Sequence, residues 1–211
     1  MRELRGIYAL CDTSLNPRLS HLELARQLVA GGVPILQLRM KGETDLGKVR
    51  EAARQILALK RERNFTFILN DFVALAAELP VDGVHVGQDD LPVAEARRIL
   101  GPGRLIGYSS HSREEALAAE AAGADYVALG AIFPTASKGP GHPVQGLDTL
   151  REVVAALRAP VVAIGGINRE NFSQVVATGV AAVAMIGALS LAPDIAAEAR
   201  WFVDEFQKRR G

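Results

Sequence analysis

The chain has 211 residues, 49% of them hydrophobic, and its 24 basic and 24 acidic side chains cancel to a formal net charge of zero. That is enough apolar material for one domain, 1–211, with a large core, and no stretch reaches the ~18 uncharged apolar residues of a membrane span. Balanced charge with 5% aromatic residues gives no support to nucleic-acid binding, and a single cysteine, Cys11, excludes an internal disulfide framework or a cysteine-built zinc cluster.

The opening Met1-Arg2-Glu3-Leu4-Arg5 lacks the long apolar region of a signal peptide, so a cytoplasmic location is expected. From there one unit repeats: a short apolar run, a polar or glycine-bearing loop, then an amphipathic stretch. The predicted strands are, in order, residues 6–11, 35–39, 66–70, 83–86, 105–109, 126–130, 161–165 and 182–186. Most are nearly continuous apolar runs, as parallel strands buried on both faces require. Predicted helices fill the gaps. Ser20 with Glu23 and Ser112 with Glu115 are capping boxes. Residues 45–63 form the longest helical stretch, with shorter ones at 71–79, 92–100, 147–157 and 169–178, and 194–207 closes the chain. Eight strand–helix units in ~200 residues predict a (β/α)8 TIM barrel, with a doubly wound open sheet as the alternative; either places ligands at the C-terminal strand ends.

Those ends carry the chemistry. Gln37, Arg39 and Lys41 alternate onto one side of the second strand end, an anion clamp or else solvated edge charges. Asp71 and Asp90 follow neighbouring strands. Each taken alone reads as a helix N-cap, but together, beside Arg39 and Lys41, they suit Mg²⁺. Ser109 is positioned to donate to a phosphate, and His111 reads as structural, with a general-base role as the alternative. His85 reads as a satisfied core histidine, while His21 and His142 have no supporting pattern. The loop at 131–146, with Thr135, Ser137 and Lys138, reads as an anion-binding lid or else an ordinary flexible loop, and Gly165-Gly166 and Ile186-Gly187 fall where barrels bind phosphate through backbone N–H groups. The sequence has no Ser-His-Asp arrangement, reactive cysteine or dinucleotide fingerprint. Its inventory fits two phosphorylated substrates, or one diphosphate leaving group and one phosphate handle.

In order and spacing the segments Gln37-Leu38-Arg39-Met40-Lys41, Leu69-Asn70-Asp71, Gly83 through Pro92, Ile106-Gly107-Tyr108-Ser109, Gly123-Ala124-Asp125-Tyr126-Val127, Phe133 through Lys138, and Ala163-Ile164-Gly165-Gly166-Ile167 resemble the thiamine-phosphate synthase family. The resemblance implies a transferase of thiamine biosynthesis that joins a pyrimidine diphosphate to a thiazole phosphate through a pyrimidine carbocation. It implies that Gln37, Arg39, Lys41 and Asn70 hold the pyrimidine diphosphate, Asp71 and Asp90 ligate Mg²⁺, and Ser109 and Lys138 contact the diphosphate. Thr135, Ser137, Gly166 and the Ile186-Gly187 backbone would hold the thiazole phosphate. The partners implied are these small molecules, and a homo-oligomer is compatible with the sequence. One departure is Gly187, where the family usually carries serine. The alternatives are a thiazole tautomerase of the same superfamily and a non-catalytic binder of thiamine precursors. Ala131 stands where the tautomerases carry a catalytic histidine, and the retained carboxylates also favour the synthase.

Overall fold

The structure, a computed structural model, describes residues 4–135 and 143–210. Eight parallel strands close into a barrel in sequence order, each hydrogen-bonded to the next and β1 to β8. The strands are β1 (Gly6–Cys11), β2 (Ile35–Leu38), β3 (Thr66–Asn70), β4 (Gly83–Val86), β5 (Leu105–Ser110), β6 (Tyr126–Leu129), β7 (Val161–Ile164) and β8 (Ala182–Met185). The helices are α1 (His21–Ala30), α2 (Leu46–Ala58), α3 (Val73–Glu78), α4 (Val93–Leu100), α5 (Arg113–Ala121), α6 (Gly146–Ala156), α7 (Phe172–Val176), α8 (Gly187–Ser190) and α9 (Ile195–Arg210). Among the described residues no helix is long and apolar enough to cross a membrane.

Strand alternation divides the core in two. Ile7, Ala9 and Cys11 face the helices, as do Leu36, Leu38, Val183 and Met185, in a large cluster between barrel and helical ring. Tyr8, Leu10, Ile35, Ile68, Tyr126, Val162, Ala182 and Ala184 fill the barrel interior. Both faces are buried, which is why the strands read as unbroken apolar runs.

The N-terminal ends of the strands are pinned by carboxylates. Asp82, just before β4, accepts from Phe67 N at 2.7 Å and pairs with Lys60. Asp125, just before β6, accepts from Ile106 N at 2.7 Å and pairs with Arg97. These bonds brace the end of the barrel opposite the cavity.

The helices differ from expectation in detail. The longest is α9, with 16 residues, whereas α2 has 13 and tightens into a 3₁₀ turn at Leu59–Arg61. The stretch at 169–178 shrinks to the five residues of α7, because the Asn168 side chain accepts from Glu170 N and Asn171 N in a turn that competes with helix. Ser20 and Glu23 form the full capping box. Ser112 caps α5 by accepting from Glu115 N, but the Glu115 carboxylate accepts from His111 N instead of closing the box. The one-turn helix α8 has no counterpart in the predicted elements.

Candidate active site

The C-terminal strand ends surround a cavity of about 540 Å³. Gln37 projects inward from β2, and Arg39 and Lys41 follow at its rim. Arg39 is aimed by a residue that the sequence reading passed over. Its guanidinium donates to Asp12, which lies just past β1, 4% exposed. Burial pushes the Asp12 carboxyl up, but hydrogen bonds from Ser14 and Arg39, with the Arg39 charge, outweigh it and hold the group below the ordinary carboxylate range. Asp12 therefore stays charged and fixes the cation.

Asn70, buried at the end of β3, and Asp71 line the next sector. Asp71 is the one non-glycine with positive φ among the described residues, at 63°, a conformation that costs an L-residue about 1–3 kcal/mol. It does not cap α3: Phe72 occupies that position with no side-chain cap bond. Asp90 likewise leaves the α4 cap position to Pro92 and accepts instead from Gly87 N at 2.7 Å. Neither carboxylate caps its helix in the structure, and the two lie close enough for the Asp90 charge to act on Asp71. Burial, then the nearby Asp90 charge, raises the Asp71 carboxyl to about 6 against the opposing pull of Lys41 and Arg39. That crowding of negative charge is what a cation would relieve. Among the described residues no group of three or more His, Cys, Asp or Glu is arranged to hold a metal. Two carboxylates with oxygen donors are a set that would fit a hard divalent cation.

The cavity floor is a line of buried polar groups. Gln37 Nε2 donates to the Tyr8 hydroxyl at 2.8 Å, and the Tyr8 and Tyr126 hydroxyls are 2.8 Å apart. The His85 ring joins Tyr126 Oη through Nδ1 at 3.1 Å and Ser109 Oγ through Nε2 at 2.8 Å. His85 is buried and satisfied as expected, yet it also lines the cavity, as does His111 at the rim.

On the far side lie Thr135, Gly165, Gly166, Ile186 and Gly187. Gly166 has φ of 67°, and a Cβ there would fall 2.5 Å from Pro134 O, so only glycine fits. Gly187 differs: it opens α8 without positive φ, and a Cβ would meet the Leu15 side chain at 3.4 Å, an ordinary contact. Ala131 is 2% exposed and packs where a Cβ on Gly165 would fall, 2.6 Å from its own Cβ. Among the expected site residues, Ser137 and Lys138 lie outside the described residues, and the other eleven line the one cavity. The sequence reading missed Asp12, Tyr8 and Tyr126. The strand-end position that singled out the others also marks Asp12, whereas the tyrosines look like any apolar strand residue.

The fold and the cavity define a (β/α)8-barrel enzyme acting on small molecules. A family model described as Thiamine monophosphate synthase matches residues 7–189. The thiamine-phosphate synthase of Moorella thermoacetica is 41% identical over 97% of both chains, and that of Chlorobium phaeovibrioides is 48% identical over 90% of both. The solved thiamine phosphate pyrophosphorylase from Pyrococcus furiosus superposes with a TM-score of 0.86 at 36% identity, covering 97% of this chain and 98% of that one. The chain belongs to the thiamine monophosphate synthase family, enzymes of thiamine biosynthesis.

Proposed function

We propose that the chain joins 4-amino-2-methyl-5-(diphosphooxymethyl)pyrimidine to 4-methyl-5-(2-phosphooxyethyl)thiazole, releasing diphosphate and forming thiamine phosphate. The observation that carries this reading is the shared cavity: Arg39, Lys41 and the Asp71–Asp90 pair stand on one side and the Gly166 turn with Gly187 on the other. That supplies one pole for a diphosphate and another for a monophosphate.

In this reading the bond between the pyrimidine methylene carbon and the diphosphate oxygen breaks first, with its electron pair leaving on oxygen. The thiazole nitrogen then donates its lone pair to the resulting carbocation. The step needs preorganised charge where the anion departs, not a protein nucleophile. Arg39, oriented by Asp12, and Lys41 supply that charge, and Ser109 donates its hydroxyl. Gln37 and Asn70 hold the pyrimidine, while Thr135, Gly166 and the Ile186–Gly187 backbone hold the thiazole phosphate. Lys138 and Ser137 lie outside the described residues, and the family resemblance would assign them to the diphosphate and the thiazole phosphate. Asp71 and Asp90 would hold Mg²⁺, which when bound offsets the charge building on the leaving diphosphate.

Incubating the protein with both substrates and MgCl₂ tests the reading. Thiamine phosphate and diphosphate are expected in equal amounts, detected by mass spectrometry and phosphate analysis. A folded protein that forms neither, or that isomerises a thiazole carboxylate phosphate with no pyrimidine present, overturns it.

A further inference from the structure

Each hydroxyl in the cavity floor has a single proton, and a neutral imidazole has one donor and one acceptor nitrogen. When every member both donates and accepts along it, the line Gln37–Tyr8–Tyr126–His85–Ser109 runs in one of two senses. In the sense that places Gln37 Nε2 toward Tyr8, Gln37 donates to Tyr8 and Tyr8 donates to Tyr126. Tyr126 donates to His85 Nδ1, and His85 Nε2–H donates to Ser109. The Ser109 proton is left to point into the cavity. Reversal requires every member to turn. Ser109 then donates to His85, the histidine tautomer changes, both phenols rotate, and the Gln37 amide flips to accept from Tyr8.

The two ends present opposite faces to a ligand in the two senses. In the first sense Gln37 Oε1 is buried without a hydrogen-bond partner, in a side chain 2% exposed that lines the cavity. It requires a donor. At the other end Ser109 offers a proton, which suits an anionic oxygen. We infer that this relay couples recognition of a ring amino group at Gln37 to donation by Ser109 toward the diphosphate, and that Tyr8 and Tyr126 are specificity-determining residues of the reaction. The inference rests on the reading above, in which the pyrimidine diphosphate lies across this floor.

The tyrosines are built in for their hydroxyls. A Cβ on Gly107 would lie 2.0 Å from Tyr126 Cζ and 2.4 Å from its hydroxyl oxygen, so the phenol reaches the centre of the barrel only past a glycine. The His85 ring stacks on Tyr126 with centroids 5.5 Å apart and planes 29° apart, which fixes the imidazole for both bonds. A 4-oxo pyrimidine would present an acceptor to Gln37. Turning the amide to meet it reverses the relay and withdraws the Ser109 proton from the diphosphate. Losing a hydrogen bond to a charged group costs a factor on the order of 10 to 100.

The test compares kcat/KM for the 4-amino pyrimidine diphosphate and its 4-oxo analogue in the wild type, Tyr126→Phe, Tyr8→Phe, Ser109→Ala and Tyr126→Phe/Ser109→Ala. Cutting the relay at either tyrosine frees Gln37 to turn without cost at Ser109. The amino/oxo ratio should then fall by about tenfold or more. Ser109→Ala should lower the ratio similarly, and the double variant should lower it no further. Tyrosine variants that slow both substrates equally, with the ratio unchanged, show a packing role only and overturn the inference. A second measurement needs no variant. In wild-type protein without thiazole phosphate, ¹⁵N shifts of His85 should report the Nε2–H tautomer with the amino compound and the Nδ1–H tautomer with the oxo compound. The same tautomer with both overturns the relay. No turnover of the amino substrate by the wild type would instead contradict the proposed function itself.

Discussion

Asp12 and Arg39 form an ion pair between the ends of β1 and β2, with the carboxylate side chain 5% exposed and the guanidinium 24% exposed. The pairing holds a rotamer-rich cation in one place at the cavity rim, next to the carboxylate whose charge it opposes. Asp12→Asn keeps the size of the side chain and removes its charge. It should lower kcat/KM for the pyrimidine diphosphate by about tenfold, the worth of a hydrogen bond to a charged group, with little change in the KM for the thiazole phosphate. Steady-state kinetics with each substrate varied in turn checks this. An equal rise in both KM values would mean that Asp12 serves general packing.

Metal binding should depend on pH through Asp71. Its carboxyl is raised to about 6 by burial and by Asp90, and a bound cation needs the ionised form. As pH falls through that value a proton competes, and affinity should drop toward tenfold per pH unit. Above it the dependence should flatten. Calorimetric titration of Mg²⁺ in buffers of different ionisation enthalpy reads the proton release directly. Close to one proton should leave on binding at the acid side of 6, and almost none well above it.

The same shift has a stability consequence. A carboxyl with a folded-state pKa above its unfolded value favours the folded state in its protonated form, so this contribution is lost as pH rises through about 6. Asp71→Asn removes the ionisation, and asparagine tolerates the φ of 63° better than most residues. The metal-free variant should therefore melt higher than the wild type at neutral pH while losing activity. A lower Tm would show that Asp71 is not held under charge strain.

The two glycines of the far side should separate. Gly166→Ala places a methyl 2.5 Å from a backbone carbonyl at positive φ and should abolish thiazole phosphate binding or loosen the β7 end. Gly187→Ser meets only an ordinary contact and should tighten that binding, by up to about tenfold if its hydroxyl reaches the phosphate. Calorimetric titration of the thiazole phosphate into each variant decides. Unchanged affinity in folded Gly187→Ser would place the phosphate elsewhere.

The barrel was legible because its strands are buried on both faces: the run 182–186 admits little besides a parallel strand, and eight such runs close. Gln37, Arg39 and Lys41 were legible as a group from their alternate spacing, although only Gln37 lies within β2 and the two cations follow its end at the cavity rim. Asp71 and Asp90 were ambiguous, since an aspartate before a helix fits a cap as well as a ligand. In the structure neither caps its helix: α3 and α4 begin after Phe72 and Pro92, and the Asp90 side chain accepts from Gly87 N. Tyr8 and Tyr126 were invisible as polar residues because the barrel interior is assembled from strands more than a hundred residues apart in sequence. The α7 helix is shorter than its periodicity suggests because the Asn168 turn depends on side-chain bonds that periodicity does not register.

The central claim is that charge gathered at Asp71, Asp90, Arg39 and Lys41 drives diphosphate departure. The most direct measurement is the single-turnover rate of diphosphate formation, with both substrates and Mg²⁺ saturating, in the wild type, Asp71→Asn and Asp90→Asn. The account predicts that each variant keeps its fold by circular dichroism and loses a factor on the order of 100 or more in that rate. Folded variants that release diphosphate at the wild-type rate would contradict it.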